Sequence, residues 1–412
     1  MNAVPEAVNF RALVPDISDT TYLTHGLFYY PARFIPQIPR FCLQEYTGKG
    51  DWVIDPFAGS GTVGLEAALN YRHAVLMDLN PLLNHIVPLK IQFRRSDVNE
   101  VDLVDHLYDM RLNQEEFRPA WSNLDYWYDD RVLSVLARYW GWIKKQPPEN
   151  PYSHIIQVAL LKVSRYFSYA EHKMPKLFKS KKKQATMQKL LSQDWHRVLD
   201  DMVDLVAFDA YKRAKELAEI FQRMGDPPVQ TVAFGGVDSA TFSPPLKVRA
   251  QALITSPPYL QAQEYIRTSK LELFWLGYSE EEVKRISRLE IPYRKAEGSV
   301  HTPTLDRLRR IISRKDLCAI LDSYFYYTLR ALENAADFLV PRGYLCVFVG
   351  NPKIDGYEVE TWRIFSEYFG IRGFRLLHIF EDEIKTRQLF RGRKNKNPQG
   401  MKSEFLLIMQ KQ

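Results

Sequence analysis

Several features are scarce or missing in this chain of 412 residues, and each absence removes a class of protein. Only three cysteines are present, far apart and without a CxxC pair, so we expect neither a disulfide framework nor a metal site. There is no run of about 20 apolar residues, which argues against a membrane-spanning helix. The start of the chain lacks a basic segment followed by an apolar core, so we see no secretory signal and expect a cytoplasmic protein.

Acidic residues are absent from two stretches that are rich in basic residues, 173–189 and 384–403. The chain as a whole carries a formal net charge of +7. A run of this kind often lies on a solvated surface, but two of them beside an enzyme core favour a nucleic acid as partner. The cations that we predict to hold phosphates are Lys179, Lys181, Lys182, Lys183, Arg391, Arg393, Lys394 and Lys396.

The hydrophobic pattern changes twice along the chain. Residues 51–80 read as strand, glycine turn, helix and strand, whereas residues 91–228 read as long amphipathic helices. Strands alternate with helices again from residue 229, which predicts an α/β fold with a mostly parallel twisted sheet. FRLLHIFED and EFLLIMQK near the C-terminus have no helix between them, so we expect an antiparallel strand pair there.

A turn rich in small residues, DPFAGSGT at 55–62, follows the first of these strands. Its glycines let the backbone approach a ligand closely, and the helix behind it favours an anionic group. Asp78 ends the next strand, at the place where an acid binds ribose hydroxyls in nucleoside-binding folds. The turn lacks the GK[ST] of a P-loop, so an adenosine-bearing ligand other than a triphosphate is favoured.

A second turn, TSPPY at 255–259, follows the strand QALI. Its two prolines stiffen the turn and remove two backbone donors, which leaves carbonyl groups free to accept. Ser256 adds a hydroxyl group and Tyr259 an aromatic face, a combination that suits the exocyclic amine of a planar base. An ordinary proline turn is the simpler alternative. The base-binding interpretation is favoured because ligands of such sheets gather at the carboxyl ends of the strands.

DPFAGSGT together with TSPPY resembles the amino-methylating DNA methyltransferases that use S-adenosylmethionine. SPPY is similar to the motif of the cytosine-N4 members, whereas adenine-N6 members usually carry Asp or Asn where this chain has Ser256. Residues 24–34 are similar to the N-terminal cofactor segment of the family, and residues 265–277 to the helix that follows the catalytic loop in some members. The resemblance therefore covers most of the chain except its helical block.

The resemblance implies a Rossmann-like class I methyltransferase fold. Residues 1–90 and 229–412 would form the catalytic domain, and residues 91–228 a mainly helical insertion that is the candidate DNA-recognition region. The residues implied to bind S-adenosylmethionine are Tyr30, Pro31, Phe34, Asp55, Phe57, Ala58, Gly59, Ser60, Gly61, Thr62, Asp78 and Asp238. The residues implied to hold the target base and to act in catalysis are Ser256, Pro257, Pro258 and Tyr259.

The roles within the cofactor set differ by segment. The resemblance implies that the glycine turn lines the methionine part, that Asp78 binds the ribose and that Asp238 faces the adenine. Tyr30, with its neighbour Pro31 and with Phe34, would close over the cofactor.

The resulting prediction is site-specific transfer of a methyl group from S-adenosylmethionine to the N4 amine of a flipped cytosine in duplex DNA. We expect direct transfer, since no cysteine follows a proline as a carbon-5 enzyme would require. Adenine-N6 methylation and methylation of an RNA base amine stay open as alternatives, as does an inactive DNA-binding subunit. We expect double-stranded DNA as the partner and favour a monomer, and a cognate restriction endonuclease as functional partner stays open.

Overall fold

The computed structural model describes residues 4–17, 19–30, 34–94, 98–171, 177–260, 264–291, 294–383, 401 and 403–412. An eight-stranded sheet forms its centre. The strands of that sheet are β1 (Glu6–Val8), β2 (Trp52–Asp55), β3 (His73–Asp78), β4 (Thr231–Gly235), β5 (Ala250–Thr255), β6 (Leu339–Gly350), β9 (Phe374–Glu383) and β10 (Ser403–Lys411). A separate ribbon pairs β7 (Lys353–Ile354) with β8 (Tyr357–Glu358).

The strand order across the sheet is β1-β9-β10-β6-β5-β2-β3-β4. The five strands from β6 to β4 in this order run parallel to one another. β10 is antiparallel to both β6 and β9, which confirms the mostly parallel sheet and the C-terminal antiparallel pair. The chain order reverses between β2 and β5, and open α/β sheets bind ligands at the carboxyl ends of strands beside such a reversal.

Helices cover both faces of the sheet, so the central strands are apolar on both sides. In β3, Val75 and Met77 belong to one hydrophobic cluster, while Ala74 and Leu76 belong to another. The first cluster packs beneath α14 (Pro303–Ile311), α15 (Lys315–Ala336) and α16 (Thr361–Gly370). The second packs beneath α2 (Gln37–Tyr46), α3 (Thr62–Leu69) and α4 (Leu82–Lys90). The three layers confirm the Rossmann-like fold.

A block of helices lies between β3 and β4, beyond α4. Its members are α5 (Glu100–Leu112), α6 (Leu124–Trp127), α7 (Asp130–Lys145), α8 (Pro151–Tyr166), α9 (Lys181–Leu191) and α10 (Trp195–Arg223). These helices share one hydrophobic cluster with α12 (Lys270–Leu276) and α13 (Glu280–Leu289), which follow β5. Trp140 of α7 stacks on Trp275 of α12 with ring centroids 5.8 Å apart. The helical block is therefore packed against the segment that follows TSPPY, and its assignment as a separate DNA-recognition domain stays a prediction.

The remaining helices are short. They are α1 (Phe10–Leu13), a 3-10 helix (Leu23–Gly26) and α11 (Tyr265–Thr268). None of the helices in the residues that the structure describes is long and apolar enough to cross a bilayer.

Candidate active site

A cleft opens at the carboxyl ends of the parallel strands, and its empty volume is about 1160 Å³ with the open solvent at its mouth included. The glycine turn follows β2, Asp78 ends β3 and Ser256 follows β5, and β2 lies between the other two strands. The predicted residues that line the cleft are Tyr30, Phe34, Asp55, Phe57, Ala58, Gly59, Ser60, Thr62, Asp78, Asp238, Ser256, Pro258 and Tyr259. Gly61 and Pro257 are not among the lining residues, although each stands between two of them in the chain.

The glycine turn is held by backbone contacts to β3. The Ala58 amide donates to the carbonyl of Met77 at 2.9 Å, and the Gly59 amide donates to Oδ2 of Asp78 at 2.7 Å. Gly59 has a φ of +54°, a left-handed conformation that glycine adopts without a steric penalty. A Cβ at this position would lie 3.1 Å from the ring of Tyr30. A side chain at position 59 would therefore press on Tyr30, and glycine lets the turn pass close to that ring.

Two acids that end neighbouring strands face the same space. Asp78 accepts from the Gly59 amide and from the Asn80 amide, the latter at 2.7 Å, and burial raises its pKa to about 6. Asp55 accepts from Oγ1 of Thr255 at 2.5 Å, and burial raises its pKa to about 7. Loss of solvent disfavours both carboxylates, so a bound cation in this cleft would favour their ionised forms.

Asp238 lies in the loop after β4, and a cation covers it. Its Oδ2 accepts from Nη1 of Arg294 at 2.5 Å, and its Oδ1 accepts from the Ala240 amide at 3.1 Å. The Arg294 guanidinium carbon lies 3.7 Å from the centre of the Tyr327 ring. The acid predicted to face an adenine therefore stands beside a flat guanidinium and an aromatic ring at the edge of the cleft.

The TSPPY corner is fixed by a strand from the far end of the chain. The Tyr259 hydroxyl donates to Oε1 of Glu404, which is the second residue of β10. Burial and the neighbouring Glu404 raise the pKa of Tyr259 well above its ordinary value. Burial also raises the pKa of Glu404. Because β10 is antiparallel to β6, its first residues lie at the edge where the parallel strands end.

Tyr30 forms part of the cleft wall and stacks on Tyr265 with ring centroids 5.9 Å apart. Just before Tyr30 in the chain, His25 is anchored to α3, where its Nε2 lies 2.8 Å from Oε1 of buried Glu66. Phe34 stacks on Phe348 at 5.7 Å. Pro31, the remaining residue predicted to close over the cofactor, lies outside the described residues.

The predicted phosphate-binding lysines divide into two groups. The Lys179 ammonium lies 4.2 Å from the centre of the Tyr126 ring, and the Lys183 ammonium lies 4.2 Å from that of Tyr166. Lys183 is buried, and burial lowers its pKa to about 8. Lys181 and Lys182 are exposed, so these two extend toward solvent. The predicted cations Arg391, Arg393, Lys394 and Lys396 lie outside the described residues.

Sequence reasoning missed several residues of the cleft. Glu290 directly follows α13 as its C-cap, and its carboxylate accepts from the Ile266 amide at 2.9 Å. Burial raises the pKa of Glu290 to about 7. Asn80 also lines the wall, and Arg294 covers Asp238. Glu404 was missed as well, although it holds Tyr259. None of the four belongs to a motif, so no sequence signal marked them.

The chain is similar in sequence to known DNA methyltransferases. Residues 9–86 match the family model described as a DNA methylase that covers N6 and N4 methyltransferases. The type II methyltransferase M.BsoBI of Geobacillus stearothermophilus is 22% identical over 402 residues, which cover 90% of this chain and 76% of that protein. M.MvaI of Kocuria varians, also a type II methyltransferase, is 21% identical over 412 residues, covering 90% and 86%. M.MjaII of Methanocaldococcus jannaschii is 30% identical over 145 residues, covering 34% and 27%.

Proposed function

We propose that this chain, a member of the family of amino-methylating DNA methyltransferases, transfers a methyl group from S-adenosylmethionine to the N4 amine of cytosine in duplex DNA. The observation that carries the proposal is that the glycine turn, Asp78 and the Ser256 corner line one cleft. Holding a methyl donor and an acceptor amine in one site makes their reaction effectively unimolecular, which is the main source of rate for a direct transfer.

The residues of the cleft fit a cationic cofactor. S-adenosylmethionine supplies a methyl group bound to a positively charged sulfur, which makes the carbon open to attack by an amine. Asp55, Asp78 and Glu290 line the wall, and burial raises the pKa of each of them. A ligand cation stabilises their ionised forms, so part of the electrostatic cost of burying three acids is relieved when it binds.

The parts of that cofactor are assigned to different residues. In our proposal Asp78 accepts from the ribose hydroxyls, because a carboxylate at the end of this strand binds ribose in related nucleotide folds. The backbone at Gly59 faces the methionine part, with the Tyr30 ring beside it. Asp238 and Arg294 stand at the adenine end, where they offer a hydrogen-bond acceptor and a flat cation.

The SPPY corner is proposed to hold the base. Ser256 and the carbonyl of Pro257 accept from the N4 amine, and the Tyr259 ring stacks on the pyrimidine. The pKa of Tyr259 lies well above its ordinary value, so its hydroxyl stays protonated at neutral pH and acts as a donor to Glu404. Tyr259 therefore orients the base and does not remove a proton. The base must leave the base stack of the DNA duplex to enter the cleft, at a cost of a few kcal/mol.

The chemical step needs little from acid–base groups. The lone pair of the cytosine amine is delocalised into the ring, and acceptors at Ser256 and Pro257 draw the amine toward a tetrahedral geometry that frees it. When the amine takes the methyl group, the bond between that carbon and the sulfur would break and the sulfur would keep both electrons as a neutral thioether. The nitrogen would then carry the positive charge until it loses a proton to water. Positioning and electrostatics would therefore supply most of the rate.

Ser256 favours cytosine over adenine in this proposal, because the resemblance places Asp or Asn at this position in adenine-N6 enzymes. Adenine-N6 methylation is the alternative within the same site. The similarity to proteins named type II methyltransferases also leads us to propose a functional pairing with a restriction endonuclease.

The test is to incubate the purified protein with methyl-labelled S-adenosylmethionine and duplex DNA, and in a parallel reaction with transfer RNA, and to identify the labelled nucleoside by chromatography and mass spectrometry. The proposal predicts N4-methyldeoxycytidine. N6-methyldeoxyadenosine would overturn the cytosine assignment, and label found in transfer RNA but not in DNA would overturn the substrate. A protein that binds no S-adenosylmethionine would support an inactive DNA-binding subunit instead.

A matched variant makes this test specific to the site. Ser256→Ala removes one hydroxyl group from the cleft wall without changing its shape, so methylation should fall at least tenfold while the affinity for S-adenosylmethionine stays within about twofold. A loss of both together would contradict the division between base site and cofactor site.

A further inference from the structure

A second cavity adjoins the active-site cleft. Its empty volume is about 1040 Å³ with open solvent included, and it lies between the helical block and the segment that follows β5. Trp121 and Trp127 line it from the first side, and Arg267, Lys270 and Arg288 line it from the second. Glu290 lines both cavities, so the groove adjoins the cleft where the base is proposed to react.

One wall of this groove is aromatic and firmly packed. The rings of Trp121 and Trp127 are stacked with centroids 5.8 Å apart, and Trp121 stacks on Phe274 at 4.4 Å. Each tryptophan keeps 8% of its surface exposed. With so little of each ring exposed, the wall offers a rigid apolar strip, and not an open ring face, against which a base can pack.

The opposite rim of the groove is basic. Lys270 holds its ammonium 5.5 Å from the centre of the Trp121 ring. Arg267 is exposed and shares an ion pair with Glu264, whose oxygen lies 2.9 Å away. Arg288 is exposed and forms no ion pair with any residue that the structure describes. This rim therefore offers cations that already face solvent and can meet phosphates.

The lysine-rich segment continues the same surface. Leu177 lines the groove, and Tyr126, which contacts Trp127 edge-on at 5.2 Å, carries the Lys179 ammonium over its ring. The exposed Lys181 follows at the start of α9. The lysine-rich segment therefore meets the groove at Leu177 and through the contact between Tyr126 and Trp127.

We propose that this groove holds the DNA strand that carries the target base, with backbone phosphates on Arg267 and Arg288 and a flanking base against Trp121 and Trp127. The inference rests on the proposed function, because a base that enters the cleft stays covalently joined to its neighbours. Those neighbours must lie just outside the cleft, and extrusion leaves them without a stacking partner on one side. The groove supplies both the cations and the aromatic surface that they need.

Two acidic residues of the groove reduce its attraction for phosphates. Glu264 neutralises part of the charge of Arg267, and Glu290 marks the boundary with the cleft. Burial raises the pKa of Glu290 to about 7, so this carboxyl repels a phosphate less than an ordinary carboxylate would.

The first test measures DNA binding over a range of salt concentrations. The double variant Arg267→Ala/Arg288→Ala removes two cations, so the slope of log affinity against log salt should become shallower by nearly two, about 0.9 for each phosphate contact. Arg223→Ala is the matched control, because this exposed arginine ends α10 just before the amino end of β4, whereas the cleft lies at the carboxyl ends of the parallel strands. The control should bind DNA as the wild type does, and both variants should keep wild-type affinity for S-adenosylmethionine.

Identical salt slopes in the double variant and the control would overturn the groove. If the wild type methylates DNA in the labelling assay described above, the proposed function stands and only the strand path fails. A wild type that methylates no DNA overturns the proposed function itself.

The second test locates the flanking base directly. A duplex that carries 5-iododeoxyuridine next to the methylated position is bound and irradiated, and the crosslinked peptide is identified by mass spectrometry. We expect the crosslink at Trp121 or Trp127. Efficient crosslinking to a peptide outside the groove would overturn the assignment.

Discussion

Replacing the Asp78 carboxylate by an amide separates ligand binding from folding. In Asp78→Asn the side chain keeps its size, but it loses its charge and turns one acceptor oxygen into a donor. Both carboxylate oxygens of Asp78 accept from backbone amides, Gly59 and Asn80, each at 2.7 Å. The amide can satisfy only one of these two donors.

The effect of this change on stability should be small because two contributions oppose each other. A carboxyl whose pKa rises from 3.8 to about 6 costs the folded protein about 3 kcal/mol when it is ionised, and Asn does not carry that cost. Leaving one backbone N–H without an acceptor costs about 1–3 kcal/mol. We therefore expect the free energy of unfolding of Asp78→Asn to stay within about 2 kcal/mol of the wild-type value at neutral pH.

The effect on the cofactor should be large. Hydrogen bonds to a charged group contribute about 1.5–3 kcal/mol each, so loss of one ribose contact weakens S-adenosylmethionine binding roughly 10- to 150-fold. Calorimetric titration gives the affinity, and thermal unfolding checks the fold. Asp51→Asn is the control, since Asp51 accepts from the Gly48 amide at the opposite end of β2. An unchanged cofactor affinity in folded Asp78→Asn would refute the ribose assignment.

Three further outcomes follow from the same site. The pKa is raised to about 7 for Asp55 and Glu290 and to about 6 for Asp78, so these carboxylates gain protons as the pH falls below 7. The wild-type affinity for S-adenosylmethionine should therefore fall below pH 7, up to about tenfold for each unit of pH and each carboxylate; titration at pH 5 to 8 checks this, and a flat profile contradicts it. Tyr259→Phe and Glu404→Leu should each slow methylation about tenfold, with the double variant no slower than either single one, because they remove the same hydrogen bond; additive losses in rate assays would contradict the contact. Gly59→Ala should lower the free energy of unfolding by about 1–2 kcal/mol and weaken cofactor binding, because its Cβ strains the turn and meets the ring of Tyr30; urea unfolding that matches the wild type would contradict this.

The arrangement of the central strands followed from the sequence because parallel strands obey a simple rule. Short apolar runs ending at Asp55, Asp78 and Thr255 were expected to end at one edge of the sheet, and the structure places all three there. The same rule brought the glycine turn and the TSPPY corner onto one cleft. The roles of the individual residues in that cleft stay predictions.

Contacts between distant segments were not predictable in the same way. Glu404 lies 145 residues after Tyr259, and the two meet only because β10 enters the sheet in the reverse direction beside β6. Glu290 reaches the cleft from the end of α13, where periodicity indicates only an amphipathic helix. Neither carboxyl belongs to a pattern, so the fold alone reveals them.

Charge runs also carry less information than their composition suggests. The seven lysines between 173 and 189 were interpreted as one phosphate-binding stretch. In the structure Lys179 and Lys183 lie over tyrosine rings, whereas Lys181 and Lys182 remain exposed. A sequence does not show whether the stem of a lysine packs against an aromatic ring or extends into water.

The most direct measurement of the central claim is a crystal structure of the protein with the amine-bearing cofactor analogue sinefungin and a duplex that contains the methylated site. The account predicts the ribose on Asp78, an extruded cytosine between Ser256 and Tyr259, and the cytosine amine within about 3.5 Å of the analogue's amine group. A base that stays stacked in the duplex, or an analogue bound away from the glycine turn, would contradict it.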